Sequence, residues 1–547
     1  MEFLRRHRQL NQVERWKQER HPLDVRDAVI QRYSKEGAAA IDTVPGEQER
    51  LKWAGIYPQR QGGDAFMLRV KVPAGRLSAA QAAEIGRIGR QFAANPEPHP
   101  LWGDAYLDLT TRQDIQMHWI RIEDVPTIWE RLEAVGMTTV QACGDSARNV
   151  LSCPVAGIDH DEVFDATEVA LRISDYFTGN REYANLPRKF KMSVTGCLDD
   201  CAQAEINDIG LWPAALDDGT IGLNVLAGGG LSDGARMASD IDAFVSLDEA
   251  VELTRGIAQV FGELGNRENR GVNRMRYLVQ ELGAEGFRAE LAHRLDFPLR
   301  PAGRSLTRRY RGDHVGVHAQ KQPGLSYVGL SVTVGRMAAD DLVEAARLAD
   351  VYGDGGLRLA TDQNLVITGV PEGRLDDLLA EPLLDRHSPS PRAFERGVVA
   401  CTGSEYCRFA VVETKARAVE WARRLDAAID LGEDQVVRMH FSGCSASCAQ
   451  PQIADIGLRG ETAHVGEDIV EAVDIGLGGS LGLDAAFIDW IVGARPVADV
   501  PRALTALLTQ FRLGRRPGEA FHEWCRRTPP AELRAAIDGR ETAGVTL

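Results

Sequence analysis

The sequence predicts an α+β protein built as a tandem duplication, each half a small α+β unit followed by a larger, cysteine-bearing α+β unit. Three observations carry this. Val194 to Leu211 reads VTGCLDDCAQAEINDIGL and Phe441 to Leu458 reads FSGCSASCAQPQIADIGL, two phrases that align without gaps and share ten identical positions. Upstream of each phrase stands a matching stretch, FMLRVKVPAGRLSAAQAAEIGRIGRQF or YVGLSVTVGRMAADDLVEAARLADVYG, that reads as strand, turn and amphipathic helix. After each of these come two strand-like runs and a further helix, giving the order βαββα twice.

The elements follow in order. Residues 1–24 are charged throughout and lack the apolar run of a secretory signal, so the cytoplasm is the expected compartment. In the first small unit the strands lie in AYLDLTTRQDIQMHWI and the closing helix in VPTIWERLEAV. The second small unit repeats these as LRLATDQNLVITGV and GRLDDLLAEPL. In the larger units KFKMSV and VVRMHF are strands leading into the cysteine phrases. IGLNVLAGGG and AVDIGLGGSLG are strands that end on glycines. An Arg-rich helical segment from Leu264 to Leu299 joins the halves.

At 547 residues the chain exceeds a single ordinary core. With 44% hydrophobic and 26% charged residues it has the balance of a soluble globular protein, and no apolar run reaches bilayer length. A formal charge of −16 argues against general nucleic-acid binding. Nine cysteines in a reducing compartment do not form a disulfide framework, so their spacing has to decide their role.

Cys401 and Cys407 in ACTGSEYC, then Cys444 and Cys448 in GCSASC, form two close pairs. Four such thiols suit a tetrahedral zinc ion, a 4Fe-4S cluster, or plain burial; the long first step fits usual zinc spacing poorly. In the first half Cys153 occupies the place of Cys401, but Asp159 stands where Cys407 should be. Cys197 and Cys201 persist there. One surviving site is the simpler reading, and a second cluster on Cys143, Cys153, Cys197 and Cys201 is the alternative. Cys525 reads as a bystander. Gly228–Gly230 and Gly476–Gly479 do not form a dinucleotide loop; they are strand-ending turns or close approaches to a large ligand.

ACTGSEYC followed by GCSASC resembles the signature of the siroheme-dependent nitrite and sulfite reductases. FMLRVKVPAG, TTRQDIQMHW, RNVLSCPVAG and LPRKFK resemble further stretches of that family in the same order. The resemblance implies ferredoxin-like half-domains for the small units and siroheme and iron–sulfur domains for the larger ones. The implied boundaries are 1–141 for the amino-terminal extension with the first half-domain and 142–300 for the first siroheme-binding domain with its helical connector. The second half-domain takes 301–392 and the cluster-bearing domain 393–547. The resemblance implies a 4Fe-4S cluster on Cys401, Cys407, Cys444 and Cys448, with Cys448 bridging to siroheme. It implies Arg69, Arg148, Lys189 and Lys191 at the substrate anion. Arg112 and Arg188, and more weakly Gln113 and His118, are expected at the siroheme carboxylates, where arginine's planar fork suits bidentate pairing.

Six-electron reduction of sulfite or nitrite needs a relay for single electrons. The two halves leave no room for a flavin module, so an external ferredoxin is the expected donor, to a monomeric enzyme. Its docking patch is expected in NRENRGVNRMR or QFRLGRRP. Lys189-Phe190-Lys191 matches the Lys-x-Lys of sulfite reductases, where a second ammonium suits a partly dianionic substrate. Tyr57 and Cys143 match positions beside siroheme in some bacterial sulfite-reductase relatives. The short GIYPQRQGGDAFML region resembles the nitrite enzymes instead. Sulfite is the favoured expectation, nitrite the alternative. A non-catalytic siroheme or cluster protein, a zinc-stabilised protein and a precorrin oxidoreductase are the rivals.

Overall fold

The structure, a computed structural model, describes residues 9–308, 313–432 and 435–540. The first eight residues of the charged amino-terminal run lie outside the described residues. Among the described residues no helix is long and apolar enough to cross a membrane.

Each small unit folds in the βαββα order that its alternation and helical periodicity dictate. The first uses strands Ala65–Val70, Gly103–Leu109 and Ile115–Arg121 with helices Ala79–Phe92 and Val125–Ala134. The second uses Leu325–Leu330, Gly356–Leu359 and Leu365–Pro371 with Ala339–Tyr352 and Leu375–Leu379. Ser78 caps the first long helix through the reciprocal bonds of a capping box with Gln81. The two long helices pack on each other where glycine allows it: a Cβ on Gly86 would meet Val343 Cγ2 at 2.7 Å and Ala339 O at 2.8 Å.

The duplication holds, with one addition. Arg336–Ala338 of the second half pairs antiparallel with Gly103–Leu109 of the first sheet, and Arg76–Ser78 of the first half pairs with Gly356–Leu359 of the second. The halves exchange strands reciprocally. A single hydrophobic cluster therefore runs through both, from Leu68, Val70 and Ile85 to Leu330, Leu342 and Ile367. The amino-terminal helices add Val25, Val29, Ile41 and Leu51 to the same core.

The larger units repeat one mixed sheet. Ala147–Ser152, Phe190–Val194 and Ile209–Ala215 are parallel neighbours, and Ile221–Ala227 and Ser239–Val245 continue antiparallel. In the second half Val398–Ala400, Met439–Ser442, Ile456–Val465, Asp468–Leu477 and Asp489–Pro496 have the same order and sense. In both copies the cysteines leave the carboxyl ends of the first two parallel strands, where ligands of α/β sheets commonly sit. The glycine turns are explained by packing: a Cβ on Gly229 would meet Glu205 O at 2.4 Å, and one on Gly479 would meet Ala454 O at 2.7 Å. They close on the later part of each cysteine phrase, beyond its second cysteine.

Candidate active site

Cys401 follows the strand Val398–Ala400, and Cys444 and Cys448 follow its parallel neighbour Met439–Ser442. Backbone bonds tie the two pairs together: Cys401 N donates to Phe441 O at 3.1 Å, and Gly443 N donates to Cys401 Sγ at 3.2 Å. Thr414 Oγ1 donates to Cys401 O at 2.6 Å. Cys401, Cys407 and Cys444 are half-buried and Cys448 is exposed. Burial first, then the charge of Cys448, pushes the Cys401 thiol up to about 12. Burial likewise pushes Cys444 up to about 11, with Cys448 and Cys407 adding to it. The four sulfurs thus stand within electrostatic reach of one another, yet they are not among the sets of three or more ligand atoms converging within 4.8 Å. Around one zinc ion, bonds of about 2.3 Å would bring sulfurs roughly 3.8 Å apart. The wider quartet fits a multi-iron cluster.

The loop carrying Cys407 is held by the first half. Arg60 N donates to Tyr406 O at 2.7 Å and Arg60 Nη2 to Ala410 O at 2.9 Å, while Gln61 Nε2 donates to Glu405 O at 2.6 Å. Arg336 is fully buried and spans Asp108 at 2.7 and 3.0 Å and Glu405 at 2.5 Å. Its guanidinium also stacks 4.4 Å from the Tyr106 ring.

Facing Cys448 is a wall of cations from the first half. Arg69 lies on Ala65–Val70, Arg148 on Ala147–Ser152, and Lys191 on Phe190–Val194 with Lys189 just before it. Strand alternation buries Phe190 completely and leaves both lysines half-buried on the other face. Arg69 donates to Ala142 O at 3.4 Å, next to Cys143, and lies 5.4 Å above the Tyr57 ring. Its Nε is buried without a partner. Burial lowers Lys189 to about 7, with Arg274, Arg188 and Arg148 adding repulsion and Cys448 opposing it. Burial also holds Lys191 well below its ordinary range, helped by Arg112, Lys189 and Arg274. Both ammoniums are thus buried among other cations, where a bound anion would favour their charged forms.

Arg112 donates to Asn207 Oδ1 at 2.8 Å and Asn149 O at 2.5 Å, and burial lowers it to about 10. Its neighbour Thr111 donates through Oγ1 to Cys448 O at 3.0 Å, so one turn joins the cation wall to the loop of Cys448. Arg188 pairs with Asp145 at 3.2 Å, at the edge of the wall. Two expected residues are engaged elsewhere. Gln113 is fully buried, donating to Ser152 O at 3.0 Å and Leu359 O at 2.7 Å while accepting from Ser152 N. His118 lies 3.2 Å from Asp108 and stacks 3.9 Å from the Tyr406 ring, in the joint built around Arg336.

The sequence reading missed Arg274, whose Nη2 bonds Asp208 at 3.1 and 3.0 Å beside both lysines. It comes from the Arg-rich connector, and its run of arginines was the available signal. That connector turns inward: Arg267 bonds Glu14 at 2.7 Å, Arg270 bonds Asp145 at 2.8 Å, and Arg276 bonds Leu231 O at 2.7 Å. It is therefore not a docking patch, because its cations hold buried partners.

The family model described as nitrite/sulfite reductase ferredoxin-like half domain matches residues 57–135 and 318–384, and that of the nitrite and sulphite reductase 4Fe-4S domain matches 143–299. The chain belongs to the nitrite and sulfite reductase family. It is 42% identical to the assimilatory ferredoxin-dependent nitrite reductase of Haloferax mediterranei, over 97% of this chain and 94% of that one. It is 42% identical to the ferredoxin–nitrite reductase of Synechococcus elongatus, over 92% and 96%. The solved structure of the Mycobacterium tuberculosis NirA protein superposes with a TM-score of 0.88 at 33% identity, covering 96% of this chain and 98% of that one. As a member of this family the chain is an oxidoreductase that uses siroheme and a 4Fe-4S cluster. The donor set fits both groups: wide-set thiols for the cluster, and a cleft of arginines and lysines for a polycarboxylate macrocycle.

Proposed function

We propose that the protein is a ferredoxin-dependent nitrite reductase, producing ammonia. The observation that carries this is its 42% identity, along nearly the whole chain, to two enzymes that bear that name. This reverses the sulfite preference drawn from Lys191. In this reading Cys401, Cys407, Cys444 and Cys448 would hold the cluster, with Cys448 on the side that faces the cation wall. Arg112, Arg188 and Arg274 hold siroheme carboxylates. When bound, these two groups supply the electrons and the iron at which the anion is reduced. Arg69 and Arg148 orient the anion by charge and hydrogen bonding, and Lys189 and Lys191 deliver protons. Lys189, near 7 in the free protein, is suited to exchanging protons at neutral pH. Gln113 and His118 are left out because the Gln113 amide and His118 Nε2 are engaged with the scaffold.

For the donor, the supporting feature is Phe409, 77% exposed and two residues beyond Cys407. The exposed Arg60 and Arg408 flank it. An apolar contact rimmed by cations suits a small acidic protein docking over the cluster despite the overall negative charge.

One observation favours sulfite as a second reading: Lys191 places a second ammonium beside Lys189. Steady-state rates with reduced ferredoxin test both. The proposal expects kcat/KM for nitrite to exceed that for sulfite. The reverse order would favour the second reading, and inactivity on both anions would remove the enzyme assignment. If Lys191 serves sulfite, Lys191→Asn weakens sulfite turnover more than nitrite turnover.

A further inference from the structure

The first half, which lost one thiol of the duplicated quartet, brings its remaining three together more tightly than the second half does. Cys153, Cys197 and Cys201 leave the ends of the adjacent parallel strands Ala147–Ser152 and Phe190–Val194. All three are buried, at 3%, 2% and 2% exposure, and their sulfurs lie within 4.8 Å of one another. Among the described residues this is the sole set of three or more thiol, imidazole or carboxylate groups that converges so closely. Cys143, the fourth member of the alternative second cluster, is not part of it.

Asp159, at the place of Cys407, accepts a bond from Asp161 N at 3.2 Å in its own loop. His314, from the start of the second half, approaches two of the three thiols. His314 is 3% exposed, and its Nε2 lies 3.2 Å from Cys201 Sγ and 3.9 Å from Cys153 Sγ. Cys197 Sγ lies 3.8 Å from Cys201 Sγ. With metal bonds of about 2.3 Å to sulfur and about 2.0 Å to nitrogen, a tetrahedral zinc site sets sulfurs roughly 3.8 Å apart and nitrogen roughly 3.6 Å from sulfur. The Cys197–Cys201 distance matches, and the two from His314 Nε2, 3.2 and 3.9 Å, bracket the nitrogen value, while His314 stands outside the tight set that includes Cys197 and would close on that sulfur when an ion is bound. A multi-iron cluster needs its thiolates farther apart, as Cys401, Cys407, Cys444 and Cys448 are.

We propose that Cys153, Cys197, Cys201 and His314 bind a zinc ion, a structural site separate from the redox centre. Three thiolates and one imidazole, tetrahedral and shut off from water, are a donor set that selects zinc over harder cations and leaves no open position for catalysis. The surroundings support the ligands. Thr361 Oγ1 donates to Cys201 O at 3.0 Å, as Thr111 does to Cys448 O in the other half. The Tyr327 ring meets His314 edge-on at 6.3 Å. The ion would tie two loops of the first half to the first segment of the second, so that the duplicated cradle serves as a clamp between halves where it no longer carries electrons.

The test is metal analysis of the purified holoenzyme together with His314→Ala and Cys201→Ala. Zinc equimolar with the chain is expected in the wild type, and loss of that zinc in both variants with iron content and absorbance of the redox centre retained. Cobalt supplied during expression should add the thiolate charge-transfer bands of a tetrahedral site in the wild type and not in His314→Ala. Should Cys201→Ala fail to fold, the cobalt spectra of wild type and His314→Ala still decide. Absence of zinc and cobalt from the wild type, zinc retained in both variants, or iron in place of zinc would each overturn the proposal.

Discussion

Replacing Arg336 with methionine tests whether the loop of Cys401 and Cys407, the cluster ligands of the proposed reading, depends on the joint between the small units. Arg336 is fully buried, paired with Asp108 at 2.7 and 3.0 Å and with Glu405 at 2.5 Å, and lies against Tyr106. Removing one partner of a buried ion pair costs about 3–5 kcal/mol, because the charge left behind is uncompensated. Two carboxylates are stranded here, but Lys415 Nζ remains 3.7 Å from Asp108 and Tyr106 OH 2.7 Å from Glu405. Those contacts place the loss at the lower end, about 3 kcal/mol, with methionine keeping most of the packing. Burial drives Asp108 up, yet Arg336 and Lys415 hold it well below its ordinary 3.8. The stability from that shift is present above the unfolded value and is lost as pH falls through the folded one, so the gap between wild type and variant narrows only in acid. Urea unfolding at neutral pH measures the loss. Glu405 lies between Cys401 and Cys407, so the cluster of the variant should also bleach faster in air. A variant within about 1 kcal/mol of wild type, with unchanged bleaching, would refute the coupling.

Cys407→Ser should lose most of its iron and all turnover while the fold persists, measured by iron analysis and circular dichroism; a full iron complement would take Cys407 out of the ligand set. Lys71 gives a pH signature. It is buried beside Thr178 Oγ1 at 2.7 Å, and burial lowers it from 10.5 to about 8, partly offset by Asp114 and Asp175. The unfolded chain then holds that proton more tightly, so stability rises as pH climbs from about 8 to 10.5. Relative to Lys71→Met, wild type should gain about 3 kcal/mol over that range, read from paired unfolding curves.

Local pattern made the βαββα order legible, because apolar alternation and helical spacing are written in contiguous residues. The repeated cysteine phrase did the same for the duplicated mixed sheets. Periodicity could not reveal the reciprocal strand exchange: Arg336–Ala338 and Arg76–Ser78 are three residues each, too short to carry a period. Each runs straight into one of the two helices that pack together at Gly86. Lys189 and Lys191 were readable because alternation fixed Phe190 on the buried face. Arg274 was not, since only the fold shows that an arginine from the connector turns back to Asp208 rather than out to solvent.

The same limit hid the fourth member of the first cradle. Aligning the halves puts Asp159 opposite Cys407 and leaves three thiols, a count that reads as a decayed site. His314 stands far along the chain from Cys201, and nothing near it in sequence marks it as a ligand. Folding brings it to 3.2 Å because the second half begins by crossing over the first cradle. A duplicated scaffold that keeps three buried thiols within 4.8 Å and brings an imidazole from its other half to 3.2 and 3.9 Å from two of them fits a replaced ligand, since loss by drift alone would leave no reason for the three thiols to stay together.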